Sequence, residues 1–115
     1  MSLETKIKMS FEGLREDDVK AIIDMLQQHS LVEEALLFGS RAKGNYKNGS
    51  DVDIALKREN MDWGTITHIS YLLNEETIMP YHFDVLNYHK TDKNLVEHID
   101  RVGKKIYSKN ETIVV

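Results

Sequence analysis

The sequence has 115 residues, 41% of them hydrophobic, which is enough for one ordinary core, and we expect a single domain over residues 1–115. A net charge of −4 gives the whole molecule no attraction for nucleic acid, so we expect no direct nucleic-acid partner. The absence of cysteine excludes disulfides, thiolate metal sites and cysteine nucleophiles. No apolar run is long enough for a signal peptide or a membrane span, which favours a cytoplasmic protein with no membrane partner.

Hydrophobic spacing predicts helices and short strands that alternate along the chain. The predicted helices cover residues 15–29, 63–73 and 91–106, the last with Thr91 as its N-cap. The predicted strands cover residues 34–38, 51–56 and 82–86, and residues 113–115 could add an edge strand. This order predicts an α/β fold in which a small mixed β-sheet is layered with helices.

A Gly-Ser pair directly follows the first predicted strand. Gly39 lets the backbone come close to a ligand, and Ser40 offers both a hydroxyl and an amide N–H. If a helix begins here, its free N–H groups point to the same place, where phosphate is the natural ligand. Arg41 and Lys43 add positive charge nearby. We therefore predict that Gly39, Ser40 and Arg41 bind the phosphates of a nucleotide.

Ten residues separate the Gly-Ser pair from the first of two aspartates. Alternation along a strand sends Asp51 and Asp53 to the same face, where two like charges resist ionising together. A divalent cation removes this conflict, and Mg²⁺ prefers carboxylate and phosphate oxygens. Asp84 lies in another, otherwise apolar strand. If that strand pairs beside the first, three carboxylates converge, which suits two metal ions about 3.5–4 Å apart.

The order of these motifs resembles the nucleotidyltransferase signature of Gly-Ser, a spacer and Asp-x-Asp. The stretch LLFGSRAKGNYKNGSDVDIAL resembles the minimal nucleotidyltransferase (MNT) family of the DNA polymerase beta-like superfamily, and the MntA-like antitoxins of HEPN/MNT toxin–antitoxin systems in particular. Phe83-Asp84-Val85 resembles the strand that carries the family's third carboxylate. The stretch LVEHIDRVGKKIY, residues 95–107, resembles the family's last helix and its glycine-then-tyrosine ending.

The resemblance implies a polymerase beta-like fold and transfer of a nucleoside monophosphate, with ATP as the expected donor of AMP, onto a hydroxyl group. It implies that Gly39 and Ser40 hold the triphosphate and that Asp51 and Asp53 bind two Mg²⁺ ions. Asp84 would bind one ion and help to deprotonate the attacking hydroxyl. The family also implies a HEPN toxin as protein partner, with AMP placed on one of its tyrosines. Larger relatives carry a helical second domain, for which we expect no room in this chain.

Other functions remain open at this point. A non-catalytic module could bind nucleotide and neutralise a HEPN toxin by contact alone. Transfer to an aminoglycoside-type antibiotic is a third hypothesis, although no acidic segment suited to a polycationic drug is evident. The histidines show no metal-ligand spacing, but His82 lies two residues before Asp84 on the same predicted strand face.

Overall fold

A computed structural model of the chain describes residues 13–29, 32–47, 49–57 and 62–109. Within these ranges the α-helices are α1 (Glu16–Gln27), α2 (Gly39–Lys43), α3 (Trp63–Glu75) and α4 (Lys93–Val102). The strands are β1 (Glu34–Phe38), β2 (Val52–Lys57), β3 (Phe83–Asn87) and β4 (Lys104–Ser108), and a short 3₁₀ turn, Tyr88–Lys90, follows β3. No helix in the described part of the chain has both the length and the apolarity needed to cross a membrane.

The strands form one mixed sheet in the order β3-β2-β1-β4, which confirms the predicted fold class. Strand β1 runs antiparallel to both β2 and β4, whereas β2 and β3 run parallel. Consequently β2 and β3 begin at the same end of the sheet where β1 ends. Asp53 of β2 lies level with Phe38 on one side and with Asp84 on the other. This topology brings the Gly-Ser turn and the acidic residues to one end of the sheet.

Both faces of the sheet are covered by helices. On one face, β2 buries Val52, Ile54 and Leu56 in a core shared with α1 and α3. On the other face, Ala55 packs with Phe38 and with Ile99 of α4. Because successive side chains of a strand alternate, Asp53 lies on the α4 face of the sheet. The apolar face of β2 thus fixes which way its carboxylate points.

Strand β3 lies at the edge of the sheet and is held in place by a side chain of α3. The amide of Asn74 donates a hydrogen bond to the Phe83 carbonyl (2.9 Å) and accepts one from the Phe83 N–H (2.8 Å). Phe83 is also buried in the main core. Since Asp84 directly follows Phe83, this pair of hydrogen bonds fixes the position of the third aspartate along the strand.

The N-cap of the last helix lies one residue later in the chain than predicted. Asp92, and not Thr91, is the N-cap residue, since its carboxylate accepts a hydrogen bond from the N–H of Leu95 (3.0 Å). The hydroxyl of Thr91 instead donates to the carbonyl of Asn87 (2.9 Å). A carboxylate at this position also interacts favourably with the helix dipole, which explains why Asp92 prevails as the cap.

The predicted continuation of this helix to residue 106 is wrong. Helix α4 ends before Gly103, whose backbone is extended (φ −62°, ψ 143°), and the chain continues as β4. Strand β4 pairs with the otherwise open edge of β1 and buries Ile106 and Tyr107. Pairing of these backbone groups outweighs the helical spacing that the sequence suggested. The edge strand predicted for residues 113–115 lies outside the described residues.

Helix α1 is tied to the segment before β3 by a buried carboxylate. Asp18 is only 5% exposed and accepts hydrogen bonds from Arg15 Nε (2.9 Å) and from the Tyr81 hydroxyl (2.8 Å). Burial by itself raises the pKa of Asp18, but the hydrogen bonds from Arg15 and Tyr81 outweigh it and leave the pKa below 3.8. The folded protein therefore holds Asp18 in its charged form.

Replacement of Asp18 by alanine should lower the free energy of unfolding by about 2–3 kcal/mol, because the Tyr81 hydroxyl loses its buried acceptor. Exposed Asp17 provides the matched control, and its replacement by alanine should cost less than about 1 kcal/mol. Urea unfolding measures both.

The stability difference between wild type and Asp18→Ala should depend on pH. Because the folded pKa of Asp18 is lowered, its carboxylate stabilises the fold above pH 3.8, and this contribution is lost as the pH falls through the folded pKa. The difference in free energy of unfolding between wild type and Asp18→Ala should therefore become smaller as the pH is lowered. A difference that is independent of pH, or equal costs for the two variants at neutral pH, would contradict this account.

Candidate active site

The turn between β1 and α2 begins with a glycine that no other residue replaces easily. Gly39 has φ +75°, in the left-handed region that L side chains rarely adopt. A Cβ atom built at Gly39 would overlap with a carboxylate oxygen of Asp53. The carboxylate therefore lies directly against the backbone of the Gly-Ser turn. Helix α2 begins at this turn, which is the condition under which the sequence predicts phosphate binding, and Ser40 is the second residue of the helix.

The predicted metal ligands lie at the adjoining strand ends. Asp53 and Asp84 are direct neighbours on parallel strands, so their side chains share one face of the sheet. Asp51 is exposed and comes just before β2. Its carboxylate lies 3.5 Å from Nδ1 of His82, the histidine noted in the sequence. The structure thus brings all three predicted aspartates to the end of the sheet that carries the Gly-Ser turn.

Among the described residues, negative charge predominates around Asp53. The pKa of Asp53 is raised to about 6, first by burial and then by the negative charges of Asp84 and Asp51, while His82 opposes the shift. A divalent cation would favour the charged form of each carboxylate, and hard oxygen ligands are those that Mg²⁺ prefers. The residues present therefore fit a magnesium site in charge and in chemistry.

The cluster is not a preassembled metal cage. Among the residues that the structure describes, no three acidic or imidazole side chains stand close enough together to hold a metal ion. Magnesium commonly takes only one or two carboxylates and completes its ligand set with substrate phosphates and water. The number of ions bound at this site thus stays a prediction.

Arg41 lies in a different environment from the one predicted. Its side chain is buried, with 3% of the residue exposed, and Nε and Nη2 donate to the Ser50 carbonyl at 3.3 and 3.1 Å. The guanidinium also lies over the rings of Tyr46 and Tyr81, 5.0 and 5.2 Å from their centres. Sequence reasoning missed both tyrosines. Tyr81 belongs to a segment far from Arg41 in the chain, and Tyr46 contacts Arg41 from the loop that follows α2, where no periodic pattern marks the contact. Lys43, the other predicted cation, is exposed.

Residues 20–112 match the model of a protein family described as "Polymerase beta, Nucleotidyltransferase". The matched range contains every residue of the candidate site and most of the described elements. No curated protein sequence matches this chain.

Several solved structures share the fold. A toxin-antitoxin crystal structure with AMP-PNP aligns with a TM-score of 0.67 at 20% identity, covering 81% of this chain and 75% of the other. The complex of a tri-AMPylated Shewanella oneidensis HEPN toxin with MNT antitoxin gives 0.61 at 18% identity, covering 79% and 70%. The toxin-antitoxin MntA-HepT gives 0.60 at 18% identity, covering 79% and 70%. At these identities the similarity shows a common fold.

Asp53→Asn should stabilise the metal-free protein at neutral pH. Since the folded pKa of Asp53 is raised from 3.8 to about 6, ionisation opposes folding increasingly as the pH rises across this interval. The variant should gain at most about 3 kcal/mol above pH 6 and almost nothing near pH 4. Thermal unfolding at several pH values in EDTA measures the gain.

Asp51→Asn is the matched control, because Asp51 is exposed and should yield a smaller gain at every pH. Added Mg²⁺ should stabilise wild type more than Asp53→Asn. A large loss of stability in metal-free Asp53→Asn would show that this carboxylate supports the fold.

Gly39→Ala should destabilise the protein more than Gly44→Ala. Both glycines have left-handed backbones, which costs about 1–2 kcal/mol for alanine, but a Cβ atom at Gly44 meets nothing within 4 Å. At Gly39 the added atom must also displace the Asp53 carboxylate. We expect the Gly39 variant to lose at least about 1 kcal/mol more in urea unfolding. Equal losses would mean that the carboxylate moves aside freely.

Proposed function

Because the chain belongs to the polymerase beta nucleotidyltransferase family, we propose that it moves AMP from ATP onto a hydroxyl group of a protein partner, a HEPN-family toxin, and so acts as an antitoxin. The observation that carries this proposal is the contact between the Gly39 backbone and the Asp53 carboxylate, with Asp84 level on the next strand. That contact puts a candidate phosphate-binding turn and a candidate metal site side by side. Nucleotidyl transfer requires that the phosphate-binding turn and the metal site act on the same nucleotide.

Each residue of the site has a role in the proposed reaction. Gly39 and Ser40 hold the triphosphate at the start of α2, and Asp51, Asp53 and Asp84 hold Mg²⁺. Bound Mg²⁺ would supply positive charge at the α-phosphate and lower the pKa of the attacking hydroxyl. The acceptor oxygen forms a bond to the α-phosphorus, the bond to pyrophosphate breaks, and Asp84 accepts the hydroxyl proton. Asp84 is exposed, so the hydroxyl group of a partner protein can reach it.

The solved relatives support the choice of nucleotide and partner. One was crystallised as a toxin-antitoxin with AMP-PNP, and another contains a tri-AMPylated HEPN toxin together with MNT antitoxin. A partner protein also meets a physical need, because orientation of the attacking hydroxyl supplies much of the rate of such a reaction. The exposed cations Lys43 and Lys47, on the side of the Gly-Ser turn, would favour an acidic partner surface.

Co-expression with a HEPN-family partner should add about 329 Da, the mass of AMP less one water, or multiples of it, to that partner. Asp53→Asn should abolish the adduct, because it removes the carboxylate between the turn and Asp84. Asp24→Asn, an exposed carboxylate on α1, makes the same change of charge away from the site and should leave the adduct intact. Intact-protein mass spectrometry measures the adduct, and a growth assay measures neutralisation of the toxin.

The same experiment separates catalysis from simple contact. If the partner carries no adduct, and wild type and Asp53→Asn restore growth equally well, the chain neutralises its partner by binding alone. Labelled ATP and Mg²⁺ supplied to the purified pair then show whether nucleotide is bound without turnover.

A further inference from the structure

We propose that Arg41 is a positioning residue, which holds the segments carrying Asp51 and Asp84 in place and thereby sets the cation affinity of the acidic cluster. The proposal rests on the proposed function and deepens it. It also gives Arg41 a role different from the phosphate contact that its place beside Ser40 suggests.

The first support is the double hydrogen bond to Ser50. Two nitrogens of one guanidinium donate to the Ser50 carbonyl, and this peptide group leads directly into Asp51. The remaining polar groups of Ser50 are also engaged, since its N–H donates to the Lys47 carbonyl (2.9 Å) and its hydroxyl accepts from the Lys47 N–H (2.8 Å). Because the planar guanidinium donates two hydrogen bonds to one carbonyl, it fixes both the distance and the direction of the chain that enters β2.

The second support is the enclosure of the guanidinium. Tyr46 and Tyr81 lie against it, and a Cβ atom on Gly13 would come within 2.7 Å of its Nη1. Tyr81 is itself held by the hydrogen bond from its hydroxyl to Asp18. With 3% of the residue exposed, little of Arg41 remains open to a nucleotide.

The third support is the link from Tyr81 to the acidic residues. The next residue, His82, accepts a hydrogen bond from the Val52 N–H at its carbonyl (2.9 Å), and its imidazole lies 3.5 Å from the Asp51 carboxylate. Arg41 therefore contacts one segment that enters β2 and another that enters β3. The relative placement of Asp51 and Asp84 depends on both segments.

The sign of one measurement distinguishes the two roles of Arg41. Removing a positive charge near carboxylates should by electrostatics alone strengthen their binding of a cation. Loss of a positioning contact should weaken it, by about tenfold or more if Arg41 resembles the outer-shell partners of other metal ligands. A phosphate-binding role predicts weaker ATP binding with no loss of cation affinity.

Hydrogen exchange by NMR on the metal-free protein tests the positioning without any reference to function. Arg41→Met and Tyr81→Leu should speed exchange of the Ser50 and Val52 amides by about tenfold or more relative to the helix α3 amides, which report global opening. Tyr81→Phe keeps the ring beside the guanidinium and should leave the Ser50 amide protected. Exchange that rises equally at all amides would assign Arg41 to global stability and overturn the proposal.

Binding of Mn²⁺ to the nucleotide-free protein, followed by electron paramagnetic resonance, tests the consequence. Arg41→Met, Arg41→Lys and Tyr81→Leu should weaken Mn²⁺ binding, whereas Arg101→Met, which removes an exposed cation on α4, should not. Arg41→Lys keeps the charge and remains informative if Arg41→Met fails to fold. Unchanged or tighter Mn²⁺ binding in both Arg41 variants would overturn the proposal.

The two proposals fail in different ways. If wild type itself binds no Mn²⁺, the metal-dependent function fails, while hydrogen exchange still decides whether Arg41 positions the two segments. If wild type binds Mn²⁺ and transfers AMP but the Arg41 variants retain their affinity and local protection, only the positioning role fails.

Discussion

The approach of the Asp53 carboxylate to the backbone of Gly39 is the constraint on which the rest of the site depends. It requires a left-handed glycine at the end of β1, an antiparallel register that sets Phe38 opposite Asp53, and a β2 whose alternate side chains are buried on the other face. If any of these conditions fails, the acidic strand and the Gly-Ser turn separate. The fold thus positions the site through the middle of its sheet, which is also its most buried part.

This arrangement makes the charged form of Asp53 electrostatically unfavourable. Asp53 is partly buried beside two other carboxylates, and its raised pKa reports the cost of charging it there. The apolar side chains of β2 offset that cost, since Val52, Ile54 and Ala55 are all fully buried next to it. A cation that neutralised the cluster would remove this cost, so that ligand binding and folding stability are coupled at one residue.

The sequence predicts the parts of the fold that depend on local patterns. The limits of β1 follow from its apolar run, and the shared face of Asp53 and Asp84 follows from alternation together with pairing of their strands. The strand after Gly103 was not predicted, because the open edge of β1 that it fills is a property of the assembled sheet. The surroundings of Arg41 were also missed. Its position in the chain suggests phosphate, whereas its side chain packs against Tyr46 of the loop after α2 and Tyr81 of the segment before β3.

Asn74 has a consequence for how this protein can vary. Because its side chain holds both backbone groups of Phe83, the register of β3 is set from helix α3 and not by the connection between them. A slip of one residue would turn Asp84 to the opposite face of the sheet. Ile78, which is fully exposed in the connection between α3 and β3, is therefore free to change over evolutionary time, while the residues on either side of it keep the third carboxylate in place.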